Sequence, residues 1–120
     1  MEKYQLIKRI RELTQSNHMF DDVNAINRAE YTILMQTFGI SWTELKKPSN
    51  TLYYEMVLTE NDLRKQLEGM LKMSRRAKEK GLRSHERDIE FMVKGFLKGV
   101  RFFNLALSNE FSLIANKSYK

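Results

Sequence analysis

Seven cations, Lys72, Arg75, Arg76, Lys78, Lys80, Arg83 and Arg87, fall within sixteen consecutive positions, with only Glu79 and Glu86 as acids among them. Two kinds of chemistry use such a cluster. Lysine and arginine contact phosphates and displace counterions from nucleic acid. They also dock on acidic protein surfaces, where charge steers encounter and fixes register. A solvated basic face that keeps a small protein soluble is the third reading. The cluster lacks interleaved aromatic side chains on which bases could stack. The helices on either side of its turn are too long for the usual short DNA-reading unit. Of the two binding readings, an acidic protein surface comes first and nucleic acid second.

Trp42, Tyr53 and Tyr54 form a second candidate set, because tryptophan and tyrosine are enriched among the residues that dominate binding interfaces. Trp42 is the only tryptophan. Its expected place is the core beside the basic segment, with a partner-facing anchor as the alternative. The only imidazoles are His18 and His85. His18 lies in a polar connection with no ligand partner at metal spacing. Asp21 and Asp22 could together hold a divalent cation, but adjacent acids at a helix start ordinarily serve the cap and the dipole. There is no glycine-rich phosphate loop, no paired-histidine zinc motif and no nucleophile elbow. The chain has no cysteine, which removes thiolate ligands, thiol nucleophiles and disulfides. A non-enzymatic protein without cofactor or metal is therefore expected.

The basic cluster must be positioned by helices. Thr59 is a good N-cap, followed by Glu60 and Asp62 at the positive end of the dipole. Leu63, Leu67, Met70, Ser74 and Ala77 then recur at helical spacing, widened by Leu71. Gly81 suits the left-handed position after a helix of residues 59–80. Ser84 is the expected N-cap of a second arm. Its stripe is Ile89, Met92, Val93, Phe96, Val100, Phe103 and Leu107, and the arm runs to about Ala115. A break at Ser108-Asn109 is the alternative. Lys94, Lys98 and Arg101 fall on other faces. Gly95 and Gly99, four apart, mark either close helix packing or a membrane dimerisation face. The nearby cations spoil the apolar host that the latter needs.

Before this hairpin, shorter helices are expected. Residues 3–14 place Tyr4, Ile7, Ile10 and Leu13 inward beside Leu6, with Lys8, Arg9, Arg11 and Glu12 outward. Residues 22–38, capped by Asp21 or Asp22, place Val23, Ile26, Ala29, Ile33 and Phe38 inward and end at Gly39. Ser41 to Glu44 read as a capping box opening a helix of one or two turns that stops at Pro48. Residues 51–58 fit a strand or a helix; a lone strand would lack a partner, so helix is expected. The polar end 116–120 frays. The fold class is all-α, one domain over 1–120: a long antiparallel hairpin (about 59–80 and 84–115) packed by shorter N-terminal helices.

Twelve of the 21 basic residues but seven of the 15 acidic ones lie within 60–101. Almost all of the net charge of +6 therefore sits on the hairpin. No apolar run approaches the length of about eighteen residues that would mark a membrane span. Lys8 and Arg9 arrive before an apolar leader could form, so no secretory signal is expected. A cytoplasmic location fits the absence of cysteine.

In composition the chain resembles the small, basic, helical, cysteine-free proteins encoded by bacteriophages and mobile elements. That resemblance covers no specific residues. It implies a protein that binds and blocks a host protein, such as an enzyme of antiviral defence. The expected function is a protein-binding inhibitor or adaptor. A small nucleic-acid-binding or regulatory protein is the alternative.

Overall fold

The computed structural model describes residues 1–118. Their order is α1 (Lys3–Gln15), α2 (Asp21–Phe38), α3 (Trp42–Lys46), α4 (Glu60–Glu79), α5 (Arg83–Phe103) and α6 (Leu105–Ser118). The all-α class is as the periodicity predicts. The N-terminal helices α1 to α3 precede the antiparallel pair α4 and α5.

Local chemistry explains most of the boundaries. The Asp62 amide donates to Thr59 Oγ1 at 3.1 Å, and the Thr59 amide donates to Asp62 Oδ2 at 2.8 Å, closing a full capping box on α4. The Thr59 amide, and after it the Thr59 hydroxyl, hold the Asp62 carboxyl below its usual range. Gly81 takes φ 70°, so the Leu82 amide can donate back to the Ala77 carbonyl at 2.9 Å. Gly39 closes α2 in the same way at φ 64°, with the Ile40 amide on the Met35 carbonyl. Two expected caps are not used. α5 begins at Arg83 after Leu82, so Ser84 lies inside the helix. α2 begins at Asp21, and both aspartates stand in its first turn without a capping hydrogen bond.

The second arm is shorter than its apolar content implies. Asn104 leaves the helix with φ −153° and ψ 91°. Its Oδ1 accepts from the Leu107 amide at 3.0 Å. It therefore ends α5 and caps α6, a role that suits asparagine. Ser108, at the alternative break, is buried within α6 and donates to the Leu97 carbonyl at 3.1 Å. α6 continues through Ser118, so only Tyr119 and Lys120 of the expected frayed end lie outside the described residues.

Residues 51–58 form no helix. The Lys3 amide donates to the Leu52 carbonyl at 2.9 Å and the Tyr54 amide to the Met1 carbonyl at 2.8 Å. These bonds make a single antiparallel bridge between Glu2 and Tyr53. The missing strand partner is the chain's own N-terminus. In α1, Leu6 rather than Tyr4 completes the core stripe; Tyr4 is exposed.

α5 is the central helix, packed by α2, α4 and α6. One apolar cluster joins α4, α5 and α6 through Leu67, Val93, Phe96 and Phe111. A second joins α1, α2 and α3 through Leu6, Ile10, Leu34 and Leu45. Gly95 and Gly99 let α2 approach α5 closely. A Cβ at Gly95 would meet the Ile26 carbonyl oxygen and lie 2.5 Å from the Ala29 Cβ. One at Gly99 would meet the Ile33 Cγ2 methyl and lie 3.2 Å from the Glu30 carbonyl oxygen. The close-packing reading of these glycines therefore holds.

Gly69 is different: it is exposed within α4, and a Cβ there would meet nothing within 4 Å. It weakens the helix by roughly 1 kcal/mol relative to alanine, with no packing return inside the chain. The same change should thus have opposite signs at two sites. Gly69→Ala stabilises by about 1 kcal/mol, whereas Gly95→Ala destabilises by about 1–3 kcal/mol through overpacking. Urea unfolding of the two variants checks both signs.

Candidate partner-binding surface

All seven cations of the corner are exposed. Among the described residues the ion pairs are Arg9–Glu12, Arg9–Glu30 and Arg64–Glu110, and none involves the corner. The cluster divides over more than one face. Arg75 lies on the α6 side, beside Glu68, Leu71, Ile114 and Lys117. Arg87 stands over the Phe91 ring at 5.4 Å, and Lys94 approaches the same ring at 5.7 Å. Arg76 and Lys80 follow Met73 by three and seven residues, which puts them on its side of α4. Lys72, Lys78 and Arg83 complete the exposed cluster.

Met73 belongs to a groove of about 760 Å³ between α2 and α4. Both helices pack on α5 but hardly on each other. Phe96 and Met92 from α5 line the groove between them, with Ala25, Ala29 and Ile33 from α2 and Gly69, Met70 and Met73 from α4. Arg28 and Asp88 are its charged lining residues. Ala29 faces Gly95 and Ile33 faces Gly99, so α2 and α5 run in the same direction. The Ala25 end of the groove is therefore the end nearest the basic corner.

Trp42 adjoins the other end. It is 53% exposed, which overturns its expected place in the core. α3 is only five residues long, and Leu45 is its buried contribution. Trp42 packs edge-on against Tyr31, with ring centroids 5.8 Å apart. Together they line a hollow with Thr32 and Gln36, and those two residues also line the groove. Trp42 and the corner thus stand at opposite ends of one continuous surface. From Ala25 to Gln36 this surface runs roughly 16 Å along α2, at about 1.5 Å per residue.

The two tyrosines do not join it. Tyr53 is exposed but is paired with Glu2 on the N-terminal side. Tyr54 is 8% exposed and so is not available as a surface anchor. Its hydroxyl donates to Glu44 Oε1 at 2.7 Å. Burial, then this carboxylate, pushes the Tyr54 hydroxyl up to about 12. The same bond, followed by those from the Ser49 amide and hydroxyl, holds Glu44 below its usual range. Ser41 Oγ accepts from the Glu44 amide at 3.1 Å, but the Glu44 carboxylate turns to Ser49 and Tyr54. The expected reciprocal capping box is therefore half formed, and its acid fastens the 47–58 segment.

Met73, Met92, Arg28 and Gly69 escaped the sequence reading as site residues. Met73 and Gly69 alone carried a usable signal, an exposed apolar residue and a helix-weakening glycine one turn apart. Lys94, Lys98 and Arg101, which the sequence places off the apolar stripe of the second arm, are exposed on α5 and make a second basic face. Among the described residues no three histidines, cysteines or acids gather as a metal site requires. No described helix is long and apolar enough to cross a membrane. No protein-family model, curated protein or solved structure matches this chain.

Proposed function

We propose that the chain is a non-enzymatic protein-binding module whose basic corner docks on an acidic surface of a partner protein. The observation that carries this reading is an apolar groove with exposed Trp42 at one end and, at the other, the side of α4 that bears the exposed, unpaired Arg76 and Lys80. Charge would steer the approach, and the apolar middle would hold the complex. The compositional resemblance supports a host protein as partner, inhibited by occlusion of the surface that is covered.

A second reading is nucleic-acid binding, favoured by one feature of α5. Arg87, Lys94, Lys98 and Arg101 are exposed along it, with Phe91 between the first two cations. A chain using that face would lose duplex affinity steeply as salt rises.

Reversing Arg75, Arg76 and Arg83 to glutamate separates the readings. Surface changes of this kind leave the fold largely intact. With an acidic protein partner, association slows by about tenfold or more, and compensating reversal on the partner restores it. With nucleic acid, affinity falls for all duplexes alike and the salt slope flattens. Nuclease-treated capture from a host lysate followed by association kinetics supplies the measurement. Unchanged association with every captured protein would sink the docking role.

A further inference from the structure

We infer that the groove between α2 and α4 is the seat of a short amphipathic helix carried by an acidic partner protein. This rests on the protein-binding reading and names what fills the middle of its surface. Three observations converge. α2 and α4 flank α5 without packing appreciably on each other, which leaves the position a further helix would occupy. The lining is soft and open: Met73 and Met92 are 44% and 42% exposed, and methionine surfaces adapt to an incoming apolar face. Gly69, between Gln66 and Met73 on the same wall, leaves open space where a side chain would stand. Unlike Gly95 and Gly99, it serves no contact within the chain, and it permits close approach of another backbone.

Charge selects the occupant. Arg28 lines the groove, and Arg76 and Lys80 continue the Met73 side towards the corner; Asp88 is the one acid in the lining. A second copy of the chain would bring the same Arg28, Arg76 and Lys80 and a net charge of +6, so it complements this rim less well than an acidic helix does. A helix of about three turns matches the length of the α2 wall. It would place apolar residues at i, i+3 or i+4 and i+7 on the methionines and carry acids on its flanks.

The test uses the full chain and a displayed library of randomised peptides about sixteen residues long, long enough to form such a helix. Selected binders should be acidic with a helical apolar period. Titrating one into protein labelled at the methionine methyls should shift Met70, Met73 and Met92 and leave Met1 and Met19 in place. Gly69→Leu, which fills the open wall, should weaken that peptide by at least about tenfold at unchanged helix content. Met73→Glu should do the same from a second position by adding an acid to the lining. Acidic binders that leave the three methyls unmoved and bind both variants normally would overturn the groove assignment while leaving the docking reading intact. Non-acidic binders, or a Gly69-dependent self-association seen by sedimentation, would overturn the choice of occupant. A library that yields no binder, with duplex DNA bound instead, would overturn both readings.

Discussion

Arg9→Ala should cost about 3 kcal/mol of folding stability, the lower end of what breaking a buried ion pair costs. Glu30 is 1% exposed. Arg9 grips it with two bonds, Nε to Oε2 at 2.7 Å and Nη2 to Oε1 at 3.0 Å. Without the guanidinium, the Glu30 carboxylate at the junction of α1, α2 and α5 loses its only ion pair among the described residues; Lys8, Lys98 and Arg101 line the same groove without pairing with it. The lower end applies because Arg9 and Glu30 line the large groove between α1 and α5, which gives water a route to the exposed acid. The double change Arg9→Met with Glu30→Leu discriminates the mechanism. Removing both charges together is often neutral or stabilising, so the double variant should unfold at higher urea than Arg9→Ala alone. A double variant weaker than the single one would show that the stems, rather than the charges, hold this junction. The pair also bears on the binding surface, because Glu30 packs where Gly95 and Gly99 bring α2 against α5. A shift of α2 there would change the width of the groove on its other side.

That pair shows where sequence reading ends. Arg9 and Glu30 lie 21 residues apart, and nothing in either helix's period announces that they meet. Arg9 reads as an outward cation because it falls off the stripe of α1, and it is indeed a third exposed. What the stripe cannot express is that its guanidinium reaches across to α2. The bridge between Glu2 and Tyr53 is hidden for the same reason: its two halves are far apart in sequence, and each alone looks too short to be a strand.

Local signals fared better, because their partners lie within a turn or two. Thr59, Gly39 and Gly81 set their helix ends through bonds to neighbours at most five residues away. Gly95 and Gly99 were legible as close-packing positions, although not which helix they meet. The break at Asn104 lay between the two kinds of signal. Asparagine is a capping residue, but Phe102, Phe103 and Leu105 continue an apolar run around it, and no glycine or proline marks the stop. Trp42 stays exposed although its size and hydrophobicity favour burial, because a five-residue helix at the edge of the second cluster has room to bury only Leu45. The corner's charge was plain in the sequence. Its division between the groove side and the α6 side was not, because this depends on where α2 and α6 dock.

Phe96→Ala and Phe111→Ala should each cost about 3–5 kcal/mol, while Phe103→Ala should cost clearly less. In the sequence Phe96 and Phe103 belong to one stripe and carry the same expectation. The fold separates them. Phe96 is 3% exposed and Phe111 is fully buried; their rings lie 6.0 Å apart and inclined by 23°, at the junction of α5 with α6. Truncating either leaves a cavity between helices held on several sides, which cannot collapse easily. Phe103 is only partly buried. It meets Phe38 edge-on at 5.2 Å, at the last residue of α5, just before Asn104 breaks the helix. Backbone there can relax into the space a smaller side chain leaves. Denaturant unfolding of the three variants, with the slope of the transition monitored, gives the comparison. Equal losses at Phe96 and Phe103 would mean that α5 and α6 pack as one continuous arm in solution. A cost at Phe111 below about 1 kcal/mol, far under the usual cost of truncating a buried phenylalanine, would mean that α6 does not fold back on α4 and α5. The Arg64–Glu110 pair at 2.9 Å cannot by itself secure that return, since both side chains are partly exposed and such pairs contribute about 0–1 kcal/mol. The buried face of α6, with Leu107, Phe111 and Ala115 in the core of α4 and α5, must therefore supply most of it.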